Sequence, residues 1–277
     1  MVEGGKFDRK NDLQYPAEVS NFRLDKYEVT VGRFRTFVAA TSGGWLPSSG
    51  SGKHAHVNDG KGLIASGGGG FETGWQSAWN TEVPATKADW NAVDALACSE
   101  AYKTWTLTKG TNESLPINCV DWPVAYAFCI WDGGFLPSAT ERDYAASGGK
   151  EQRLYPWGSD TPGMNTALAV YDCYFGGGAG SCTGLANIAP AGSVQAGAGR
   201  WGQLDLAGNV FEWTLDWNSP GSAECVDCAI LTESTNHVRV GGSFASATSW
   251  LQNFSTGGVY TITPKPYEYG FRCARTP

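Results

Sequence analysis

The sequence predicts a loop-rich fold that is held together by large aromatic side chains and disulfides. Glycine accounts for 37 of the 277 residues, about twice the usual share, and the chain contains 12 Trp and 11 Tyr. Its eight cysteines are an even number in a chain with only two Met and three His. A chain of this length buries roughly three quarters of its unfolded surface, so its core does not depend on metals or disulfides alone.

The charge balance argues against a nucleic acid as partner. The formal net charge is −7, with 20 Lys and Arg against 27 Asp and Glu, and the basic residues form no stripe along the chain. No apolar run reaches the ~18 residues that a membrane helix needs. We therefore expect neutral, cationic or hydroxylated molecules, or another protein, as partners, and no membrane span.

The cysteines favour an exported protein with oxidised cysteine pairs. Zinc is the competing interpretation, because Cys225 and Cys228 form a Cys-x-x-Cys motif. A structural zinc site needs a second such pair or a histidine pair, which the sequence lacks. Residues 1–5 carry no basic, apolar leader, so we expect that an export signal was removed before this sequence begins.

The first elements are a strand and a short helix. Residues 20–30 partly alternate apolar and polar side chains, which is typical of a strand. Thr30 can then cap a helix over residues 31–39, with Phe34, Phe37 and Val38 on one face. Residues 41–115 are rich in Gly, Ser and Trp without a sustained period, and they predict a surface insertion that Trp side chains and Cys98 fasten.

Two further helices have clear start signals. Asp121 and Pro123 predict a helix over residues 123–132, which the following glycines end. Ser138 and Glu141 form a capping box for a helix over residues 139–147. After residue 150 short segments and turns follow, including a turn-rich run at 202–217 and a strand at 238–240. With no internal repeat and no linker, we expect one domain over residues 1–277, with the insertion at about 41–115.

Six ordered blocks between Pro116 and Cys273 resemble the formylglycine-generating enzyme (sulfatase-modifying factor) family, and the resemblance extends over about residues 22–275, interrupted by the insertion. They are Pro116-x-x-x-Val120-x-Trp122-x-x-Ala125-x-Ala127-x-Cys129-x-Trp131, Leu136-Pro137-x-x-x-Glu141-x-x-Tyr144-Ala145, Tyr155-Pro156-Trp157-Gly158, Asp205-Leu206-Ala207-Gly208-Asn209-Val210-Phe211-Glu212-Trp213, Arg239-Val240-Gly241-Gly242-Ser243-Phe244 and Gly270-Phe271-Arg272-Cys273. The resemblance implies a single α+β domain of the formylglycine-generating-enzyme fold, related to C-type lectins, with little regular secondary structure.

The chemistry of the family does not follow from its fold. Active members bind copper(I) with two cysteines shortly after the Gly-Gly-Ser motif and oxidise a substrate cysteine to formylglycine with oxygen. The corresponding positions here are Ser246 and Leu251, and the arginine that follows in the family is Gln252. No cysteine lies between Cys228 and Cys273, so no shifted alignment restores the pair. Since copper(I) requires soft thiolate ligands, we do not expect formylglycine generation.

The resemblance also implies disulfides. In the family, the cysteines that match Cys129 and Cys273 are bonded to each other. Cys225 and Cys228 could form a local pair. The pairings then left are Cys173–Cys182 and Cys98–Cys119, which geometry could overturn.

Calcium is the one cofactor that the resemblance implies, in a structural role. The family's ligands map to Asp205, Gly208, Val210 and Glu212. The alternative is that Asp205 and Glu212 only brace a turn. A second calcium site of the family maps near residues 169–170 and 183–185, where acidic and amide side chains are missing, and we expect a disulfide between Cys173 and Cys182 to replace that ion.

Two further patterns bear on function. His54 and His56 could form a metal pair, but their Gly/Ser-rich surroundings favour a solvated loop. The C-terminal segment interleaves aromatic and polar side chains, which is typical of a binding surface. Its candidate ligand-binding residues are Ser243, Ser246, Trp250, Gln252, Asn253, Tyr260, Tyr267 and Tyr269.

We therefore expect a catalytically degenerate, exported member that acts as a ligand-binding or scaffold module through its C-terminal cleft. Its ligand would be a small molecule, a glycan, a peptide or another protein. One alternative is an enzyme of different chemistry on the same cleft, either a metal-dependent oxidase or a peptide- or metabolite-modifying protein. Another is a variable display protein of a diversity-generating retroelement, because such proteins use this fold and this terminal segment.

Overall fold

The computed structural model describes residues 1–91, 96, 98–253 and 266–277. Within them, short strands and four α-helices are joined by long irregular segments. The helices are α1 (Val31–Ser42), α2 (Lys87–Asn91), α3 (Trp122–Trp131) and α4 (Ala139–Ser147). No helix in the described part of the chain combines the length and apolar character that crossing a bilayer requires.

The strands of the described residues are short and belong to four small sheets. Their bounds are β1 (Gly5–Asp8), β2 (Pro16–Val19), β3 (Arg23–Leu24), β4 (Ile64–Ala65), β5 (Phe211–Trp217), β6 (Cys225–Val226), β7 (Cys228–Ala229), β8 (His237–Val240), β9 (Tyr269–Gly270) and β10 (Ala274–Arg275). The sheets have the strand orders β1-β2-β6, β10-β3, β4-β7 and β8-β5-β9. Of the strand expected over residues 20–30, only β3 forms, and β5 is a strand within a run that was expected to be turns.

Helix α1 starts where the sequence indicates. The Thr30 side chain accepts a hydrogen bond from the Arg33 N–H at 3.3 Å, which satisfies one of the free donors at the helix start. The helix continues to Ser42, three residues beyond the expected end. Its apolar face packs on α3, where the rings of Phe34 and Phe128 are stacked 5.9 Å apart.

The capping box of α4 is present as predicted. Ser138 Oγ accepts from the Glu141 N–H at 3.1 Å, and Glu141 Oε2 accepts from the Ser138 N–H at 2.8 Å. Helix α3 begins at Trp122, directly after Asp121, but the Asp121 side chain makes no capping hydrogen bond. Both helices are largely buried and form the support on which the remaining elements pack.

The 41–115 segment contributes to the main core. Trp75 and Trp90 are both 1% exposed and belong to the same apolar cluster as α1 and α3. The Trp90 indole N–H donates to Thr41 Oγ1 at 2.8 Å, and its ring packs edge-on against Phe34 at 5.5 Å. Fastening by Trp side chains is confirmed, but a segment that buries its tryptophans this deeply is not a surface insertion.

All eight cysteines are paired in four disulfides. The pairs are Cys98–Cys119, Cys129–Cys273, Cys173–Cys182 and Cys225–Cys228. All four expected pairings are thus confirmed. The Cys129–Cys273 bond links α3 to the residue before β10 across 144 positions of sequence, so it joins the first core helix to the end of the chain.

Candidate functional site

The C-terminal candidate residues lie around one edge of the β8-β5-β9 sheet. Strand β5 pairs antiparallel with β8, where Glu212 faces Val240, and parallel with β9, where Phe211 faces Tyr269. We call the described residues 243–253 and 266–269, together with the rings they contact on this sheet, the C-terminal surface. Tyr260, a predicted ligand-binding residue, lies outside the described residues.

The first copper position of the family holds a buried serine. Ser246 Oγ accepts from the Ser243 N–H at 2.9 Å and lies 3.1 Å from Ser243 Oγ. Ser243 Oγ in turn donates to Glu268 Oε2, and all three residues are buried. The hydroxyl of Ser246 therefore closes a turn inside the protein. A hydroxyl is not a soft ligand for copper(I).

The second copper position holds a core leucine. Leu251 is 1% exposed and packs in a cluster with Tyr155, Tyr171 and Ala207. It ends a single 3₁₀ turn that covers Thr248–Leu251. An apolar side chain at this depth offers no metal ligand. Because no cysteine is free, no thiolate from elsewhere in the chain can substitute for it.

Two further predicted ligand-binding residues, Asn253 and Tyr267, are held by contacts within the protein. The Asn253 amide donates to the backbone oxygens of Ala146 and Arg153, both at 2.9 Å. The Tyr267 ring stacks on Tyr102 with centroids 4.3 Å apart, which joins the C-terminal surface to the 41–115 segment. The side chains of Asn253 and Tyr267 therefore anchor the C-terminal surface to the rest of the protein.

The outer part of the surface is an aromatic patch beside an arginine. Trp250 is half-buried and packs edge-on against Phe211 at 5.8 Å, while Tyr269 packs against Phe211 at 6.1 Å. The Arg239 guanidinium lies over the Tyr269 ring, 4.4 Å from its centroid, and its buried Nε has no hydrogen-bond partner among the described residues. Gln252 is half-buried. The patch can bind a flat apolar group together with a hydrogen-bond acceptor.

Sequence analysis did not assign Arg239 or Phe211 to the site. Both fall in motifs of the resemblance, but nothing in those motifs indicates that their side chains meet. The contact of Phe211 with Tyr269 depends on the parallel pairing of β5 with β9, in which these two residues are register partners although they are 58 positions apart in sequence. One available signal was that Arg239 interrupts an apolar strand, between Val238 and Val240.

The turn that leads into β5 is held by a buried carboxylate that sequence analysis also missed. Glu28 is fully buried, and it accepts from Asn209 Nδ2 at 2.7 Å and from the Val210 N–H at 3.1 Å. The partners are about 180 positions apart, so no local pattern reveals them. This contact fixes the backbone at the start of β5, and hence the position of Phe211.

The positions that the resemblance assigns to calcium are Asp205, Gly208, Val210 and Glu212. Both oxygens of Glu212 already accept hydrogen bonds from guanidinium groups. Arg142 Nε donates at 2.6 Å, and Arg272 donates through Nη2 at 2.6 Å and through Nε at 2.9 Å. Two guanidinium cations at this distance repel a third cation, so Glu212 does not fit a calcium ligand in this arrangement. Calcium here stays a prediction of the resemblance alone, and it enters no step of the proposals below.

The same arginines account for the ionisation of Glu212. Burial alone would raise the pKa of this carboxyl, but Arg142 and Arg272 outweigh burial and hold the pKa below its usual value. Arg272 is fully buried and also donates to the backbone oxygens of Leu204 at 2.8 Å and Asp205 at 3.0 Å. The two ion pairs therefore bind the sheet, α4 and the turn at 204–205 together.

The expectation of a solvated loop at His54 and His56 is wrong. His54 is fully buried between two glutamates. Its Nδ1 lies 3.0 Å from Glu72 Oε1, and its Nε2 lies 3.0 Å from Glu141 Oε2. His56 is half-buried, and within the described part of the chain its Nδ1 has no hydrogen-bond partner. The motif is a structural contact between the 41–115 segment and α4, with no second imidazole directed at the same point.

The fold and the site together define a disulfide-rich α+β protein without the thiolate pair of a copper oxidase. A family model described as the sulfatase-modifying factor enzyme 1-like domain matches residues 1–277, and the chain belongs to this family. This confirms the resemblance found in the sequence.

Curated relatives include enzymes and a protein named as inactive. The formylglycine-generating enzymes of Thermomonospora curvata and Streptomyces coelicolor are each 28% identical to the chain, over 275 and 274 residues. These alignments cover 94% and 91% of this chain and 83% and 77% of those enzymes. A Mus musculus protein named inactive C-alpha-formylglycine-generating enzyme 2 is 33% identical over 110 residues, or 40% of this chain and 35% of that protein.

Solved structures with the same fold cover nearly the whole chain. PvdO from Pseudomonas aeruginosa has a TM-score of 0.57 and 16% identity, covering 99% of this chain and 92% of that one. Treponema denticola variable protein 1 has a TM-score of 0.56 and 18% identity, covering 100% and 94%. These similarities confirm the predicted fold class, and at this level of identity they concern the fold alone.

Proposed function

We propose that this protein is a binding module on the family's scaffold that has lost copper-dependent cysteine oxidation. The observation that carries the proposal is that every cysteine lies in a disulfide, while the two copper positions are Ser246 and Leu251. Without a thiolate the chain has no soft ligand pair for copper(I). The existence of a relative that is named as inactive supports the idea that this family includes members without the activity.

The ligand binds, in this proposal, at the aromatic patch of the C-terminal surface. Half-buried Trp250, backed by the buried Phe211 ring, supplies apolar area, and the half-buried Arg239 guanidinium beside Tyr269 supplies hydrogen-bond donors. A ligand that pairs a flat apolar group with a carbonyl or carboxylate acceptor fits this combination. A peptide or a small molecule of that kind is therefore favoured over a neutral sugar at this surface.

Export is part of the same proposal. Four disulfides and no free cysteine are typical of a protein that folds in an oxidising compartment.

Peptide and glycan arrays test the binding proposal. We expect the protein to bind a subset of peptides that carry an aromatic side chain near a carboxylate. The variants Trp250→Ala and Arg239→Ala should each weaken that binding by about tenfold or more, because truncating an aromatic or arginine contact at a binding surface has effects of this size. Leu13→Ala is the matched control, since Leu13 is 84% exposed and lies in the turn between β1 and β2.

Two outcomes of the array experiment contradict the binding proposal. One is that the protein binds no peptide, whether or not it binds a glycan. The other is that Leu13→Ala weakens binding as much as Trp250→Ala does, which would show that the patch is not the contact surface. Conversion of a cysteine peptide to an aldehyde by the wild-type protein would also contradict the loss of activity.

A further inference from the structure

A second cavity lies away from the C-terminal surface, where the 41–115 segment meets the far end of β5. Its volume is about 450 Å³, which lies in the range of small-molecule sites. Trp217, at one end of β5, lines this cavity, whereas Phe211 of the C-terminal surface is at the other end. These two residues are six positions apart on an extended strand, which separates their side chains by roughly 20 Å. The cavity is therefore a separate location from the surface discussed above.

The wall of this cavity is a continuous set of aromatic rings. Trp79 packs edge-on against Trp122 at 5.1 Å, Tyr126 lies 5.3 Å from Trp122, and Trp217 lies 6.1 Å from Trp122. Trp79 and Trp217 are half-buried, so part of each indole remains accessible. We call these four residues and the cavity in front of them the aromatic pocket.

The rings of the aromatic pocket are held in place from behind. The His237 ring lies between Trp122 and Trp217, with centroids 3.6 Å and 3.7 Å away. The Trp122 indole N–H donates to the Thr214 backbone oxygen at 2.8 Å. Burial lowers the pKa of His237 to about 3, so this ring is neutral and adds no charge to the wall. A fixed, uncharged aromatic wall loses little conformational entropy when a ligand stacks on it.

The rim of the pocket is polar, and among its lining residues no lysine or arginine occurs. Exposed hydroxyl, amide and carboxylate groups surround the opening, contributed by Thr73, Gln76, Thr232 and Glu233. Another part of the lining is residues 68–70, whose φ angles of +88°, +106° and +133° favour glycine, although a Cβ there would meet nothing within 4 Å. Backbone polar groups are consequently accessible along this edge.

We propose that the aromatic pocket binds the pyranose ring of a neutral carbohydrate. The apolar C–H face of a pyranose can pack on the indole rings, while its hydroxyls exchange hydrogen bonds with the amide, hydroxyl and carboxylate groups of the rim. An anionic ligand does not fit, because the lining residues offer no cationic side chain.

A quaternary ammonium ligand fits less well. Such ligands occupy cages in which separate rings surround the cation, whereas these rings contact one another and form a wall. Of the two carboxylates that line the pocket, that of Glu72 is bonded to His54, and that of Glu233 is exposed on the rim. Among the lining residues, the one buried carboxylate is thus already paired and cannot serve as the counter-ion of a bound cation.

Titration with neutral sugars tests this proposal, with glucose, galactose, mannose and N-acetylglucosamine and their short oligomers as probes. We expect saturable binding of at least one probe in isothermal titration or in ligand-observed NMR. Trp217→Ala should weaken it by about tenfold or more, and Gln76→Ala by a few-fold. Gln76 is exposed, so Gln76→Ala keeps the test valid if Trp217→Ala does not fold.

Trp157→Ala is the matched control, because Trp157 is also half-buried but packs on Tyr155, outside the pocket. It should leave sugar binding unchanged. The proposal is overturned if no neutral sugar binds with a Kd below about 10 mM, or if tetramethylammonium binds and sugars do not. It is also overturned if Trp250→Ala abolishes sugar binding while Trp217→Ala and Gln76→Ala do not, since the sugar would then occupy the C-terminal surface.

Discussion

Replacing Arg272 with methionine is expected to lower the free energy of unfolding by about 3–5 kcal/mol, which is a large part of the stability of an ordinary domain. The Arg272 guanidinium is fully buried and bonded to Glu212 and to the backbone oxygens of Leu204 and Asp205. Methionine fills similar volume but removes the charge and every one of these donors. Glu212 is then left with Arg142 as its single cationic partner among those described.

Arg275→Met is the matched control, three residues further along the chain. Arg275 forms ion pairs with Asp25 and Asp132, but its side chain is 26% exposed and Arg33 contacts the same two carboxylates. Partly exposed, redundant pairs contribute about 1 kcal/mol or less. Chemical denaturation of both variants gives the comparison. Equal effects of Arg272→Met and Arg275→Met would show that the buried ion pairs do not stabilise the fold as described.

His54→Gln is expected to be the second most damaging change, again by about 3–5 kcal/mol. Glutamine removes the positive charge and leaves Glu72 and Glu141 together without a cation between them. His56→Gln is the matched control in the same motif. His56 is half-buried, and burial lowers the pKa of its imidazole, which disfavours the charged form. Since His56→Gln removes no buried ion pair, we expect it to lower the free energy of unfolding by about 1 kcal/mol or less.

The effect of His54 also depends on pH. Burial alone would lower the pKa of His54, but Glu141 and Glu72 outweigh it and raise the pKa to about 10. An unfolded imidazole titrates near about 6.5. The contribution of charged His54 to the free energy of unfolding is therefore complete below about pH 6.5, and it declines as the pH rises toward the pKa of His54 in the folded protein. The difference in unfolding free energy between wild type and His54→Gln should shrink over this interval. A difference that stays constant or grows would contradict a charged His54.

Local signals predicted three of the four described α-helices, α1, α3 and α4, but not α2, which lies in the 41–115 segment. The two partners of the α4 capping box, Ser138 and Glu141, are three residues apart in sequence. Thr30 caps α1 by accepting a hydrogen bond from the Arg33 N–H, which is also three residues away. Such contacts depend on a few adjacent residues, so the sequence contains them directly. The motifs after Gly242 likewise led to Ser246 and Leu251, because those positions are counted along the chain.

Long-range contacts were not predictable in the same way. His54 pairs with residues 18 and 87 positions away, and a Gly- and Ser-rich neighbourhood gave no sign of burial. The strands are only two to seven residues long, too short for a clear alternation of apolar and polar side chains. The contact of Arg239 with Tyr269 and the assembly of the aromatic pocket both depend on how such strands pair.

The central claim is that this protein keeps the family's fold but has lost the pair of thiolates that binds copper(I). Competition for copper(I) tests this claim most directly. Purified protein is titrated with copper(I) against a chromogenic chelator, and the Thermomonospora curvata relative serves as the positive control. We predict that the chelator keeps all the copper in the presence of this protein. Retention of one equivalent by the protein, lost on Ser246→Ala, would contradict the account.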